Sequence, residues 1–186
     1  MAALMELPVK FIWSHDAFRV GEDGPTHEPV EQEAQIRLME KLKNHSGRNS
    51  VLVMRPADSK ATIECWRLAM ENNHTPSALI LSRQTIEDLP QDNPYDSIRR
   101  GGYVVAGSDA DFDVILLGNG SEVSTLVAGA QLLRQDGIKV RVVSVPSEGL
   151  FRNQSTEYQQ SIIPAGSKIF GLTAGLPVNL SGFLVG

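Results

Sequence analysis

Cysteine is nearly absent: Cys65 stands alone in 186 residues. That excludes an internal disulfide, fits a reducing compartment, and leaves no thiolate set for a structural metal. Long apolar runs are missing too. Nothing in the chain approaches the length that spans a bilayer, and the first residues lack the basic start and long apolar core of a signal peptide. The expected compartment is the cytoplasm, with no membrane partner. Cationic excess is also lacking: the net charge is −5, which argues against nucleic acid as the main partner. There is no low-complexity segment and no repeat shorter than a β-α unit. With 41% hydrophobic and 21% charged residues the composition is that of a globular protein, long enough for one large or two small domains.

What is present concentrates between His15 and Glu31, in the stretch HDAFRVGEDGPTHEPVE. Two histidines, five carboxylates and an arginine follow directly on the apolar run VKFIW. A strand followed by so polar a loop puts reactive side chains at the carboxyl edge of a sheet, where open α/β folds bind ligands. Gly21, Gly24 and Pro25 fix the backbone so that His15, Asp23 and His27 can converge on one ligand. The spacing is not that of a metal site, because His15 and His27 lie too far apart for one helix face.

In chain order, Val9–Trp13 reads as a buried strand and His27–Asn44 as a helix, with Pro29 in its first turn. Ile36, Leu38, Met39 and Leu42 are its apolar positions. VLVMRP is the next strand. Asp58 or Ser59 caps a helix to about Asn72, and ALILSRQ is a third strand. Alternation of this kind implies a parallel sheet with right-handed crossovers. The pattern stops between Thr85 and Gly102, which reads as a linker. A second series follows: FDVILLG as strand, SEVSTLVAGAQLLRQDG as helix closed by Gly137, IKVRVVSVP as strand, a short helix near Gln154–Ile163, and SKIFGLTAG as strand. The ends are less regular. MAALMELP reads as the last turns of an apolar helix stopped by Pro8, and LSGFLVG as an uncovered strand. Both ends look cut, so a piece of a longer chain is expected.

The run His-Asp, then Gly-Glu-Asp-Gly-Pro-Thr-His, then Pro-Val-Glu resembles the pyrimidine-domain signature of transketolases. Further similarity lies in RPAD at Arg55–Asp58, Trp66, ALILSRQ at Ala78–Gln84, RGGYV at Arg100–Val104, GSEV at Gly120–Val123, and VPS with Phe151 following. The resemblance implies an α/β fold of two successive three-layer αβα units with largely parallel sheets. A partial thiamine diphosphate-binding fold would occupy residues 1–90, a linker 91–102, and a partial transketolase C-terminal-like domain 103–186. It also implies transfer of a two-carbon ketol unit from a ketose phosphate to an aldose phosphate by a homodimeric parent enzyme, with thiamine diphosphate and a divalent metal, Mg, as cofactors. By the same resemblance His15 and Arg83 contact the sugar phosphate, Asp23 bonds a donor hydroxyl, and His27 sits near the reaction centre, where it also has a place beside the cofactor.

Departures from the family are specific. Ala17, Phe18, Arg19 and Val20 replace the usual Ser-Ile-Gly-Leu, and Glu28 replaces a glutamine. The cofactor-activating glutamate and the metal-diphosphate domain of the family have no counterpart here, so the chain alone is expected to be inactive and to bind no cofactor tightly. Gly118–Ser121 resembles a phosphate-cradling turn, although the family holds no cofactor there. Other readings are a dihydroxyacetone synthase, a 2-oxo acid dehydrogenase β-subunit-like enzyme, and a non-catalytic α/β assembly module.

Overall fold

The structure, a computed structural model, describes residues 1–16, 20–21, 24, 26–90, 95–107 and 111–184. Its first unit contains β1 (Lys10–Trp13), α1 (Gln32–Glu40), β2 (Leu52–Met54), α2 (Ser59–Glu71) and β3 (Ser77–Ile80). All three strands are parallel, in the order β1-β3-β2. Side chains alternate across this sheet. Val53, Ala78 and Ile80 pack with Ile36 of α1 on one face. Met54 and Leu79 pack with Cys65 and Ala69 of α2 on the other. Asp58 caps α2 by accepting from the Ala61 N–H at 2.7 Å.

The second unit runs through α3 (Tyr95–Arg99), β4 (Tyr103–Ala106), β5 (Val114–Gly118), α4 (Glu122–Gln135), β6 (Val140–Ser144), α5 (Glu148–Arg152), α6 (Thr156–Ile162), β7 (Ile169–Leu172) and α7 (Val178–Leu184). Its sheet has the order β4-β6-β5-β7, parallel except for β4, which runs antiparallel to β6. One face carries α4, the other α5 to α7. The architecture is therefore α/β, with two largely parallel units. The units share a core: Ala57 and Ala61 of the first pack with Leu89, Ile98, Leu116 and Val123.

Residues 1–7 close as a helix end does: the Met5 N–H bonds the Met1 carbonyl, the Glu6 and Leu7 N–H groups bond the Ala3 and Ala2 carbonyls, and Glu6 takes a φ of 52° before Pro8. Other local expectations are corrected. LSGFLVG is helical over its described residues, not a strand. Pro177 accepts from the Leu180 and Ser181 N–H groups, and Leu180 and Leu184, four apart, both close on Gly171 of β7. The first helix begins at Gln32, not His27. Its N-cap residue Glu31 makes no side-chain cap, and residues 26–31 are taken up by turns such as that closed by the His27 N–H on the Gly24 carbonyl. Finally, α1 is inverted relative to its apolar pattern. Glu33, Arg37 and Glu40 are buried, while Leu38, Met39 and the following Leu42 are exposed.

Apolar exposure recurs elsewhere in the first unit. Strand β1, expected to be buried, is instead an outer strand with Phe11, Ile12 and Trp13 each about two-fifths exposed, because no further strand or helix covers that edge among the described residues. On α2, Ile63, Trp66 and Met70 form one exposed stripe. An outer strand with open apolar side chains is a template for self-association. Sedimentation velocity over a concentration series should show the chain self-associating, and Phe11→Lys with Trp13→Lys should return it towards monomer. A wild-type chain that stays monomeric throughout would contradict this reading of the surface.

Candidate functional site

Each strand of the first sheet delivers polar residues at its carboxyl end: Ser14, His15 and Asp16 after β1, Arg55 after β2, Ser82 and Arg83 after β3. The chain then returns past the same edge through Thr26–Gln32. An open pocket of about 460 Å³ lies between, lined by Trp13, His15, Thr26, His27, Glu28 and Gln32 among others. His15 and His27, twelve residues apart in sequence, thus meet on one cavity.

The two imidazoles are held differently. His27 is exposed, with its Nδ1 2.9 Å from Thr26 Oγ1. His15 is half-buried, and its Nδ1 is buried without a partner among the described residues. A buried ring nitrogen in that state costs free energy unless water or a ligand meets it. Arg83 is exposed just beyond β3 and does not line the pocket. Asp23 lies outside the described residues. A larger cleft, about 620 Å³, lies elsewhere, at Lys43, Arg48, Asn72 and Asn153. It gathers no histidine and touches neither the carboxyl edge nor the polar loop.

Beneath the pocket lies a layer of buried charge centred on Arg55, whose side chain is wholly inaccessible. Its Nη2 donates to Asp16 Oδ2 at 2.7 Å, and its Nη1 donates to Asn119 Oδ1 at 2.6 Å and Glu122 Oε1 at 2.7 Å. Glu122 Oε2 lies 2.6 Å from Nη2, and Glu33 Oε2 lies 3.8 Å from Nη1. The turn Gly118–Ser121 is therefore filled by a guanidinium of this chain and cradles no phosphate. Gly120, at φ +57°, makes room: a Cβ there would lie 2.6 Å from Arg55 Nε. Next to this centre, Arg37 Nε donates to Glu33 at 2.8 Å, and Glu40 accepts from the Val53 N–H and the Ser147 hydroxyl.

None of Glu33, Glu122 or Arg37 was marked by the sequence as functional, and Arg55 stood out only within RPAD. The available signal was position. Arg55 ends an apolar strand, and Glu122 opens a helix after LLGNGS. A charge so placed is buried and needs a partner.

Three carboxylates face one guanidinium here. Burial opposes the Arg55 charge, but Glu33, Glu122 and Asp16 outweigh it and hold its pKa above the ordinary value. Burial likewise pushes Glu122 up, with Arg55 opposing, and pushes Glu40 up, with Arg37 opposing. Glu33 is also pushed up by burial, but Arg37 and Arg55 reverse the direction and hold it below its usual range.

Raised and lowered carboxyls act oppositely on stability. A raised one contributes fully below the ordinary Glu value, and that contribution is lost as pH rises through the raised value. A lowered one is lost only as pH falls through its depressed value. Denaturant midpoints should therefore fall for the wild-type chain as pH rises above the ordinary Glu range, and Glu122→Gln should flatten that fall. Equal slopes in the two proteins would show that Glu122 is not the group responsible.

Residues 1–88 match the family described as transketolase, pyrimidine binding domain, and residues 101–184 the transketolase-like TK C-terminal domain. The transketolase of Halalkalibacterium halodurans is 44% identical over 167 residues, 89% of this chain and 24% of that protein. Among solved structures, transketolase from Leishmania mexicana aligns with a TM-score of 0.84 at 35% identity, over 98% of this chain and 25% of that one. The Pichia stipitis transketolase complex with sedoheptulose-7-phosphate aligns at 0.78 and 36% identity, over 91% and 24%. The chain spans about a quarter of the length of the curated relatives it matches. With both matches in series along it, and the paired histidines at the sheet edge, the chain belongs to the transketolase family.

Proposed function

We propose that this chain forms the pyrimidine-side and C-terminal part of an enzyme that moves a two-carbon ketol unit between phosphorylated sugars, in two units divided near residues 91–102. The observation that carries the reading is the meeting of His15 and His27 on one pocket at the carboxyl edge of the sheet. A half-buried imidazole with an unmet nitrogen suits a phosphate or hydroxyl oxygen. An exposed imidazole across the same cavity suits the proton transfers that accompany carbon–carbon cleavage. Arg83, at the end of β3, is assigned to the sugar phosphate, where a guanidinium forks onto two oxygens. Asp23 is assigned to a donor hydroxyl. That a related transketolase was solved with sedoheptulose-7-phosphate supports sugar phosphates as the substrate class.

Thiamine diphosphate would supply the carbanion chemistry of the reaction. The described residues do not fit its diphosphate and metal end. No group of three His, Cys, Asp or Glu among them can hold a metal, and no lysine or arginine lines the pocket. His27 is the one residue here assigned a place beside the cofactor. The clamp for the other end belongs to a different part of a cytoplasmic enzyme, which we assign as a homodimer using Mg.

A chimera tests this. The chain replaces the matching segment of the Halalkalibacterium transketolase, and ketol transfer is followed by a coupled assay. The chimera should turn over, and His27→Ala should lower kcat by about 10²- to 10⁴-fold. Arg83→Ala should raise KM for phosphorylated donors on the order of ten- to a hundredfold and spare an unphosphorylated donor. A folded, cofactor-loaded chimera without turnover would contradict the proposed activity, and equal losses with both donors would contradict the role of Arg83.

A further inference from the structure

The residue after His15 is tied to the other unit of the chain. Asp16 is buried, and its Oδ2 accepts both from Arg55 Nη2 at 2.7 Å and from Ser121 Oγ at 2.9 Å, across 105 residues of sequence. Ser121 lies in the turn between β5 and α4. Arg55 is held on that same turn by Asn119 and Glu122, and its carbonyl accepts from the Gly120 N–H at 3.1 Å. Glu122 is fixed in turn by the Ala174 N–H, at 2.7 Å, just past β7. A continuous run of charge-assisted bonds therefore leads from the end of β7, through Glu122 and Arg55, to the backbone beside His15.

Two features separate this from ordinary interface packing. His15 Nδ1 has no partner among the described residues, so none of them orients the ring through that nitrogen. The place from which the ring projects is set by the backbone, which the Asp16 clamp holds. Further, the turn that supplies the clamp is shaped for it: Gly120 leaves the guanidinium its space, and a side chain there would collide with Arg55.

We infer that Ser121 and Glu122 are positioning residues for His15, so that the second unit sets the aim of a pocket it does not line. The inference deepens the proposed reading, since it gives the second unit a role at the same site. Ser121 acts directly on Asp16, and Glu122 acts through Arg55. Removing the Ser121 hydroxyl loosens the hold on the backbone beside His15 while leaving the Arg55–Asp16 pair and both cores in place.

The test is histidine modification by diethyl pyrocarbonate on the intact chain at low concentration, with labelled peptides quantified by mass spectrometry. His45 and His74, both exposed, serve as internal standards, and buried Cys65, labelled by a thiol reagent in parallel, reports global opening. Ser121→Ala and Asp16→Asn should raise His15 labelling about fivefold, the factor expected from one lost hydrogen bond in a local opening equilibrium, with Cys65 still protected. Ser121→Thr, which keeps the hydroxyl, should restore the wild-type rate. Ser161→Ala, whose hydroxyl bonds the Tyr158 carbonyl elsewhere, should change nothing. An unchanged His15 rate in Ser121→Ala, or one that rises only in step with Cys65, would overturn the inference. No sugar, cofactor or turnover enters this readout, so an inactive chimera and an unmoved His15 are separate failures.

Discussion

A guanidinium removed from water costs several kcal/mol unless anions and oxygens surround it, and both terminal nitrogens of Arg55 are met by groups drawn from both halves of the chain. Asp16 comes from the loop after β1, Glu33 from α1, Asn119 from the turn before α4, and Glu122 from the first residue of α4. None of these elements can move alone without leaving a buried charge unmatched. Burial raises Glu122 and Glu40 against the pull of Arg55 and Arg37 respectively, whereas both arginines act on Glu33 and together hold it low. Each partner alone would be a poor interior residue. Together they tie the two units at one buried cluster, and through Asp16 they hold the backbone beside His15.

That polar layer also explains the odd surface of the first unit. Helix α1 turns Glu33, Arg37 and Glu40 inward because the charged centre and the α5 end of the second unit lie there, and so its leucines face out. The outer strand β1 and the stripe Ile63, Trp66, Met70 on α2 add to the apolar surface. The interior of this protein is thus polar where its units join, while much of its apolar surface faces solvent. An apolar face suits contact with further protein, and a polar seam suits a fixed internal geometry.

Much of this was legible in the sequence because local rules carried it. The apolar runs VKFIW, VLVM and ALIL gave parallel strands, though the first is not buried, and Asp58, one of two candidates, caps α2. The polar loop between His15 and Glu31 does follow the carboxyl end of β1, and His15 and His27 share a pocket there. Where the reading failed, the deciding contact was distant or the local signal was ambiguous. LSGFLVG is too short an apolar run for its period to separate strand from helix, and only Gly171, against which Leu180 and Leu184 pack, decides it. The orientation of α1 depends on Arg55, and nothing in its own heptad announces that. The Asp16–Ser121 bond joins positions 105 residues apart, and neither residue type demands the other. Gly118–Ser121 had the composition of a phosphate turn, but its ligand is an arginine of the same chain.

The account stands on Arg55 coupling the two units through Glu122. A double-mutant cycle with Arg55→Met and Glu122→Met, read as unfolding free energies from denaturant titration at one pH, measures that coupling directly. The account predicts that Arg55→Met is strongly destabilising, because it leaves Asp16, Glu33 and Glu122 buried without their cation, and that Glu122→Met costs less, because Asp16 and Glu33 still face Arg55. The pair together should then cost much less than the sum, with an interaction of about 2 kcal/mol or more. Additive losses, with no interaction beyond about 0.5 kcal/mol, would contradict it.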